Sequence, residues 1–277
     1  MRIDLHNHTT RCNHASGSTL EFASKACELG IDIYGFACHA PMKFDEAYRM
    51  GLDEIDEYIN EITSLCEQVQ KSPQIATQNT PQNPKMQILV GLEVDFILGR
   101  EDLLESTVLN APLDYLIGSV HFLDDWGFDN PAFLAQYAKR DLQSCWVKYF
   151  QSVAKMAQSR LFQIVGHIDL LKVFGYTMPH SSECVYALEC ALESIKEANM
   201  SIELNAAGLR KQIGEIYPSK EILQKAYTLG IPITFGSDAH ALSQVGFGYD
   251  ECVELAREVG YDKCVYYKQK QAIEVDF

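Results

Sequence analysis

Residues 1–8, Met1-Arg2-Ile3-Asp4-Leu5-His6-Asn7-His8, set two apolar side chains, Ile3 and Leu5, ahead of a His-Asn-His triplet. Side chains two apart on a strand share a face. A strand ending here therefore projects His6 and His8 from one side and offers two imidazoles to one metal ion. Taken alone, His-x-His is ordinary polar usage in a loop, so its meaning depends on where the other histidines fall.

Working outward, seven short apolar runs alternate with longer segments of helical period: 3–8, 31–39, 87–96, 114–121, 162–169, 201–207 and 231–240. That alternation is the pattern of βα units around a parallel sheet. Helices are expected at 19–29, which stops at Gly30, at 181–198 on a Ser cap, and at 219–229 between Pro218 and Gly230. Longer ones are expected at 52–70 and 132–158. Segment 72–86, SPQIATQNTPQNPKM, has three prolines and little apolar content, and reads as a polar surface insertion in a single domain spanning 1–277.

A net charge of −15 argues against a phosphate backbone as partner, because nucleic-acid binding draws on basic patches. A small anionic substrate is compatible with it only where something reverses the field locally. No basic segment precedes an apolar signal region, and no long uncharged apolar stretch occurs, so neither secretion nor membrane insertion is expected. The nine cysteines form no Cys-x-x-Cys pair, and reduced thiols in the cytoplasm are the expected state. Oligomeric state is not legible.

The metal-competent residues fall at one edge. His6 and His8 end the first run, His39 the second, His121 the fourth, His167 and Asp169 the fifth, and Asp238 and His240 the seventh. Glu93 and Asp95 lie late in the third, and His14 follows the first within a turn. His180 alone stands apart. In a parallel barrel the carboxyl ends of the strands form the face that holds the active site. Glu93, inside Leu89-Val90-Gly91-Leu92, would be costly to bury without a cation or donor, and a carboxylate there can bridge two metals. Several imidazoles with two carboxylates suit zinc, manganese or iron rather than the oxygen-preferring calcium or magnesium. Nine ligands exceed one ion and suffice for three.

These residues carry a resemblance. Asp4-Leu5-His6-Asn7-His8, Gly91-Leu92-Glu93, Gly118-Ser119-Val120-His121, Gly166-His167 and Gly236-Ser237-Asp238-Ala239-His240, in this order, resemble the motifs of the PHP (polymerase and histidinol phosphatase) family of metal-dependent phosphoesterases. Within that family, residues 203–211, ELNAAGLRK, resemble a segment of histidinol-phosphate phosphatases. The resemblance implies a distorted seven-stranded (β/α)7 TIM-like barrel. It also implies three divalent ions: one on His6, His8, Glu93 and Asp238, a second on Glu93, His121 and His167, and a third on His14, His39 and His240.

The expected activity is hydrolysis of a phosphate monoester by a metal-activated hydroxide, with L-histidinol phosphate as the substrate that the resemblance implies and Glu93, Asp238 and His240 at the reacting centre. Arg210 is the first choice for the phosphate pocket, with Lys211 and Lys43 behind it. Asn205 either bonds substrate or orients a ligand. Segments 42–48 and 122–128 are candidate walls. The rival readings are a PHP phosphoesterase acting on nucleotides and a non-catalytic metal-binding barrel.

Overall fold

The computed structural model describes residues 1–71 and 86–277, so the expected insertion at 72–86 lies outside the described residues except for Met86. Seven parallel strands lie side by side in chain order: β1 (Ile3–Asp4), β2 (Ile33–His39), β3 (Gln87–Asp95), β4 (Tyr115–Ser119), β7 (Ile164–Val165), β8 (Ser201–Asn205) and β9 (Ile233–Gly236). A small antiparallel ribbon, β5 (Phe122–Leu123) with β6 (Trp126–Gly127), follows β4, and a C-terminal hairpin pairs β10 (Lys263–Lys268) with β11 (Gln271–Asp276). The seam between β1 and β9 is joined just beyond their ladders. Leu5 N donates to Phe235 O at 2.9 Å and His8 N to Ala239 O at 2.9 Å. The sheet therefore closes into a seven-stranded TIM-like barrel, distorted because β1 and β7 hold two residues each.

The helices are α1 (Thr19–Glu28), α2 (Ile55–Lys71), the single turn α3 (Ser106–Leu109), α4 (Leu142–Gln158), α5 (Ser182–Glu197), α6 (Lys220–Thr228) and α7 (Tyr249–Val259). Local chemistry sets their starts. Ser18 and Glu21 form a reciprocal capping box at α1, and Ser181 accepts from Cys184 N at α5. The helix expected over 132–158 is two elements. Pro131–Lys139 is a 3-10 helix, after which Arg140 turns extended and Asp141 caps α4 by accepting from Ser144 N. A 3-10 turn at Leu52–Glu54 likewise precedes α2.

Two apolar layers sandwich the sheet. The helices cover its outer face with Phe36, Leu92 and Leu116 among the buried partners. Inside the barrel, Ile3, Leu5, Ile33, Leu89, Ile117 and Phe235 pack together, each fully buried side chain contributing roughly 1.5–3 kcal/mol. Tyr115 spans this interior and its hydroxyl donates to Leu5 O at 2.6 Å. Gly35 and Gly91 make room for it, since a Cβ at either would lie 2.1 Å or 2.4 Å from the Tyr115 side chain. Cys264, Val265 and Tyr267 of the terminal hairpin join the same cluster. Lys270 N donates to Asp114 O, just before β4, at 2.7 Å. The hairpin thus plugs the amino-terminal end of the barrel, and the carboxyl ends of the strands open on a cavity.

The strands are shorter than the apolar runs. β4 stops at Ser119, two residues before His121, and β9 at Gly236, two before Asp238, whose φ of 53° is left-handed. The chain must leave its ladder for these side chains to converge.

Candidate active site

Glu93, 1% exposed on β3, stands at the centre of the convergence. His167 Nε2 and His121 Nε2 lie 3.0 Å and 3.6 Å from its Oε1, while His39 Nδ1 and His6 Nε2 lie 3.0 Å and 3.3 Å from its Oε2. Each oxygen therefore faces its own imidazoles, the arrangement a bridging carboxylate needs. His8 Nε2 is 3.1 Å from Asp238 Oδ1. Ligand atoms of His6, His8 and Asp238 gather within 4.8 Å of one another, and those of Glu93, His121 and His167 do the same.

The third expected set is only partly gathered. His39 and His240 group with His8, whereas His14 groups with Cys12 and His240. His39 turns its Nδ1 toward Glu93, and His14 Nδ1 is held by Cys12 O at 2.7 Å. Their rings remain neighbours, with centroids 5.3 Å apart for His14 and His39 and 4.6 Å for His14 and His240.

Acidic partners behind the histidines fix which nitrogen faces the site. His6 Nδ1 donates to Glu203 Oε1 at 2.7 Å, and His121 Nδ1 to Asp95 Oδ1 at 2.7 Å. Asp95 accepts in turn from Arg49 Nη1 at 2.7 Å. Such partners leave Nε2 as the available lone pair and raise its basicity. Gly236 protects the Glu203 contact, because a Cβ there would stand 2.0 Å from Glu203 Oε1 and 2.7 Å from His6 Cβ.

The electrostatics follow. Burial disfavours charge throughout, yet Asp95 and Glu93 push His121 up to about 10 and Asp238 pushes His8 up to about 9. Burial, with His8 nearby, holds His39 down at about 4. Against its own burial, Glu93 is held far below the usual carboxylate range by His6, His39 and His121.

The residues fit a metal. His6 Nε2, both nitrogens of His8, His39 Nδ1 and His240 Nε2 are buried without a hydrogen-bond partner. Each such atom costs about 1–3 kcal/mol, so a convergent set of them makes sense where a ligand completes it. Imidazole nitrogens with carboxylate oxygens are a transition-metal donor set.

The cavity above has a volume of about 500 Å³. Arg210 lines it. Its Nη2 donates to Ser237 O at 2.9 Å and Asp238 O at 3.0 Å, and its Nη1 is buried without a partner. Lys211 lines the exposed mouth, and Asp45, Tyr48, Phe122 and Gly127 from the two expected wall segments line the sides. Lys43 is a correction: its side chain is 74% exposed, paired with Glu105 at 3.1 Å and outside the cavity wall. Asn205 Nδ2 donates to Glu203 Oε2 at 3.1 Å and Asp238 Oδ2 at 3.3 Å, and its Oδ1 accepts from Ala207 N at 2.8 Å, the geometry of the second of the two roles expected of it. Asp169, at the same edge, instead accepts from Ser219 N and pairs with Lys172. Glu203, Arg49 and Tyr217 were not anticipated from the sequence. Glu203 carries the signal that marked Glu93, an acid inside an apolar run, Ile202-Glu203-Leu204.

Fold and ligand shell together define a metal-binding barrel with its site at the carboxyl ends of the strands. The family model for the PHP domain matches residues 4–207 and one for a PHP-associated segment matches 220–258, and the chain belongs to the PHP-domain family. A "Probable histidinol-phosphatase" of Deinococcus radiodurans is 38% identical over 93% of each chain. The histidinol-phosphatase of Bacillus subtilis is 31% identical over 91% of this chain and 98% of its own. In fold, the chain resembles a histidinol phosphate phosphatase from Lactococcus lactis solved with zinc, L-histidinol and phosphate: TM-score 0.79, 18% identity and 98% coverage of both chains. Among the described residues, no helix is long and apolar enough to cross a membrane.

Proposed function

We propose that this chain is a histidinol-phosphatase, hydrolysing L-histidinol phosphate to L-histidinol and phosphate in histidine biosynthesis, with a site for three divalent transition-metal ions. One observation carries the reading: all nine expected ligand residues are present, with partnerless buried nitrogens on His6, His8, His39 and His240, in a chain that aligns with two curated relatives of that activity's name over 93% and 98% of their lengths. His6, His8 and Asp238 would hold one ion, Glu93, His121 and His167 a second, and His14, His39 and His240 a third, with Glu93 shared between the first two.

When bound, such ions supply Lewis acidity toward phosphoryl oxygens and toward a nucleophilic water. The chain's own residues do the rest. Arg210, pinned through Nη2, keeps Nη1 for a phosphate oxygen, and Lys211 adds positive charge at the mouth. His240, kept neutral by burial and by His8, sets its Nδ1 beside Asp238 and leaves its buried Nε2 without a partner. Phe122, Leu170 and Val173 present apolar surface to the cavity, limiting water around the ester. Because β9 and both Asp238 and His240 come from the segment matched as PHP-associated, we read the two matched segments as one domain. The acidic charge disfavours nucleic acid as partner, and bound cations would reverse the field locally for a small phosphorylated substrate; we read the protein as acting in the cytoplasm, away from membranes.

The test is turnover of histidinol phosphate beside a panel of nucleoside monophosphates, with and without chelator. Histidinol phosphate should be cleaved fastest and chelation should abolish the rate. A metal-loaded protein that hydrolyses none of these esters overturns the reading.

A further inference from the structure

Tyr217 is fully buried, yet it lines the cavity, and its hydroxyl has no hydrogen-bond partner. Among the described residues, the hydroxyls of Tyr34, Tyr217 and Tyr267 are buried in this way, and of the three only Tyr217 lines the cavity. Its position is firmly set. Asn205 N donates to Tyr217 O at 2.7 Å and Tyr217 N to Asn205 O at 3.0 Å, so the residue is tied to the last position of β8. Lys172 Nζ lies 5.3 Å from the ring centroid and is itself held by Asp169 and Ile216 O, each at 3.0 Å. The His167 ring stands 6.3 Å away, nearly edge-on.

A buried donor left without an acceptor is destabilising, and a fold retains one where a ligand supplies the acceptor. Burial, with Asp169 and Asp238 nearby, pushes the Tyr217 pKa up, so the phenol keeps its proton and can only gain by donating it to an acceptor. Outside the histidines, Arg210 Nη1 is another buried donor without a partner on a cavity-lining residue, and both residues come from the segment that follows β8. Two donors without acceptors on residues lining one cavity are complementary to an anion with several terminal oxygens.

We propose that the Tyr217 hydroxyl donates a hydrogen bond to the phosphate group of the substrate, forming with Arg210 Nη1 a two-donor grip. The proposal rests on the phosphatase reading above for its substrate, but its central claim concerns phosphate itself. It distinguishes a substrate contact from a structural role by sign. Tyr217→Phe keeps the ring and removes only the unsatisfied hydroxyl, so folding stability should be unchanged or raised while phosphate binding weakens.

The experiment compares metal-loaded wild type and Tyr217→Phe at equal metal content, by titration with inorganic phosphate, by kinetics on histidinol phosphate and by thermal melting. The variant should melt no lower than wild type and bind inorganic phosphate roughly tenfold to a hundredfold more weakly, the range for a hydrogen bond to a charged group. The loss in kcat/KM should be similar. Phosphate affinity within twofold of wild type overturns the proposal, as does a wild type that binds no phosphate. A lower melting temperature with unchanged affinity overturns it too, by making the hydroxyl structural. Weakened phosphate binding in a protein that does not cleave histidinol phosphate would sink the substrate reading and leave Tyr217 in the grip.

Discussion

Glu93 can be buried among apolar neighbours because imidazoles face both of its oxygens, and those same lone pairs are contested by protons and metal ions. With the ions stripped, His8 is raised to about 9 and His121 to about 10 from an ordinary value of 6.5, chiefly by Asp238 and Asp95 working against burial. A raised histidine contributes stability that is fully present below its unfolded pKa and is lost as pH climbs through the folded one. His39, held at about 4 by burial, has the opposite sign: its contribution is lost as pH falls below 6.5 toward 4. The stripped protein should therefore be most stable near pH 6.5 and weaken toward both pH 4 and pH 10. Bound ions occupy the lone pairs and should flatten that dome, and loading near neutral pH should release protons. Melting curves across this range, with and without chelator, check it. A stripped protein that gains stability from neutral to alkaline pH would contradict these assignments.

At the scale of elements, β8 and β9 come together closely enough for Glu203 to reach His6 because Gly236 has no side chain. Gly236→Ala should cost roughly 10–100-fold in metal affinity, the usual effect of disturbing a ligand's hydrogen-bond partner. Metal titration of the folded variant measures this, and wild-type affinity would mean that Glu203 does not set the His6 geometry. The seven barrel strands were legible because each is an apolar run between turn signals, but their ends were not. His39 and Glu93 still sit on their strands, but the other ligands lie beyond the ladders, where left-handed Asp238 and the break after Ser119 answer to convergence rather than to periodicity. The β10–β11 hairpin escaped notice for a different reason. Its turn is Gln269-Lys270, with φ of 49° and 64°, and lacks the Asn-Gly or Asp-Gly pair that advertises such a turn. Glu203 could have been found by the rule that found Glu93. Tyr217 could not, since an unmet hydroxyl exists only once the surrounding chain is in place.

For the whole molecule, the two ends of the barrel are assigned different work. The hairpin plugs one end and the ligand shell occupies the other, so stability and metal binding should be separable. Tyr267→Ala, in the plug and 3% exposed, should cost about 3–5 kcal/mol by leaving a cavity in the barrel interior. The folded fraction should keep its full metal content. Denaturant unfolding with metal analysis checks both, and metal loss in the folded variant would show that the ends are coupled. The seam formed by Leu5 with Phe235 and by His8 with Ala239 also has a consequence in time. A ribosome makes Asp238 and His240 more than two hundred residues after His6 and His8. The first histidines therefore wait for these partners while the rest of the barrel is made. A complete donor set forms only after the seam segment has emerged, so ions are captured by a chain that has already made all seven barrel strands.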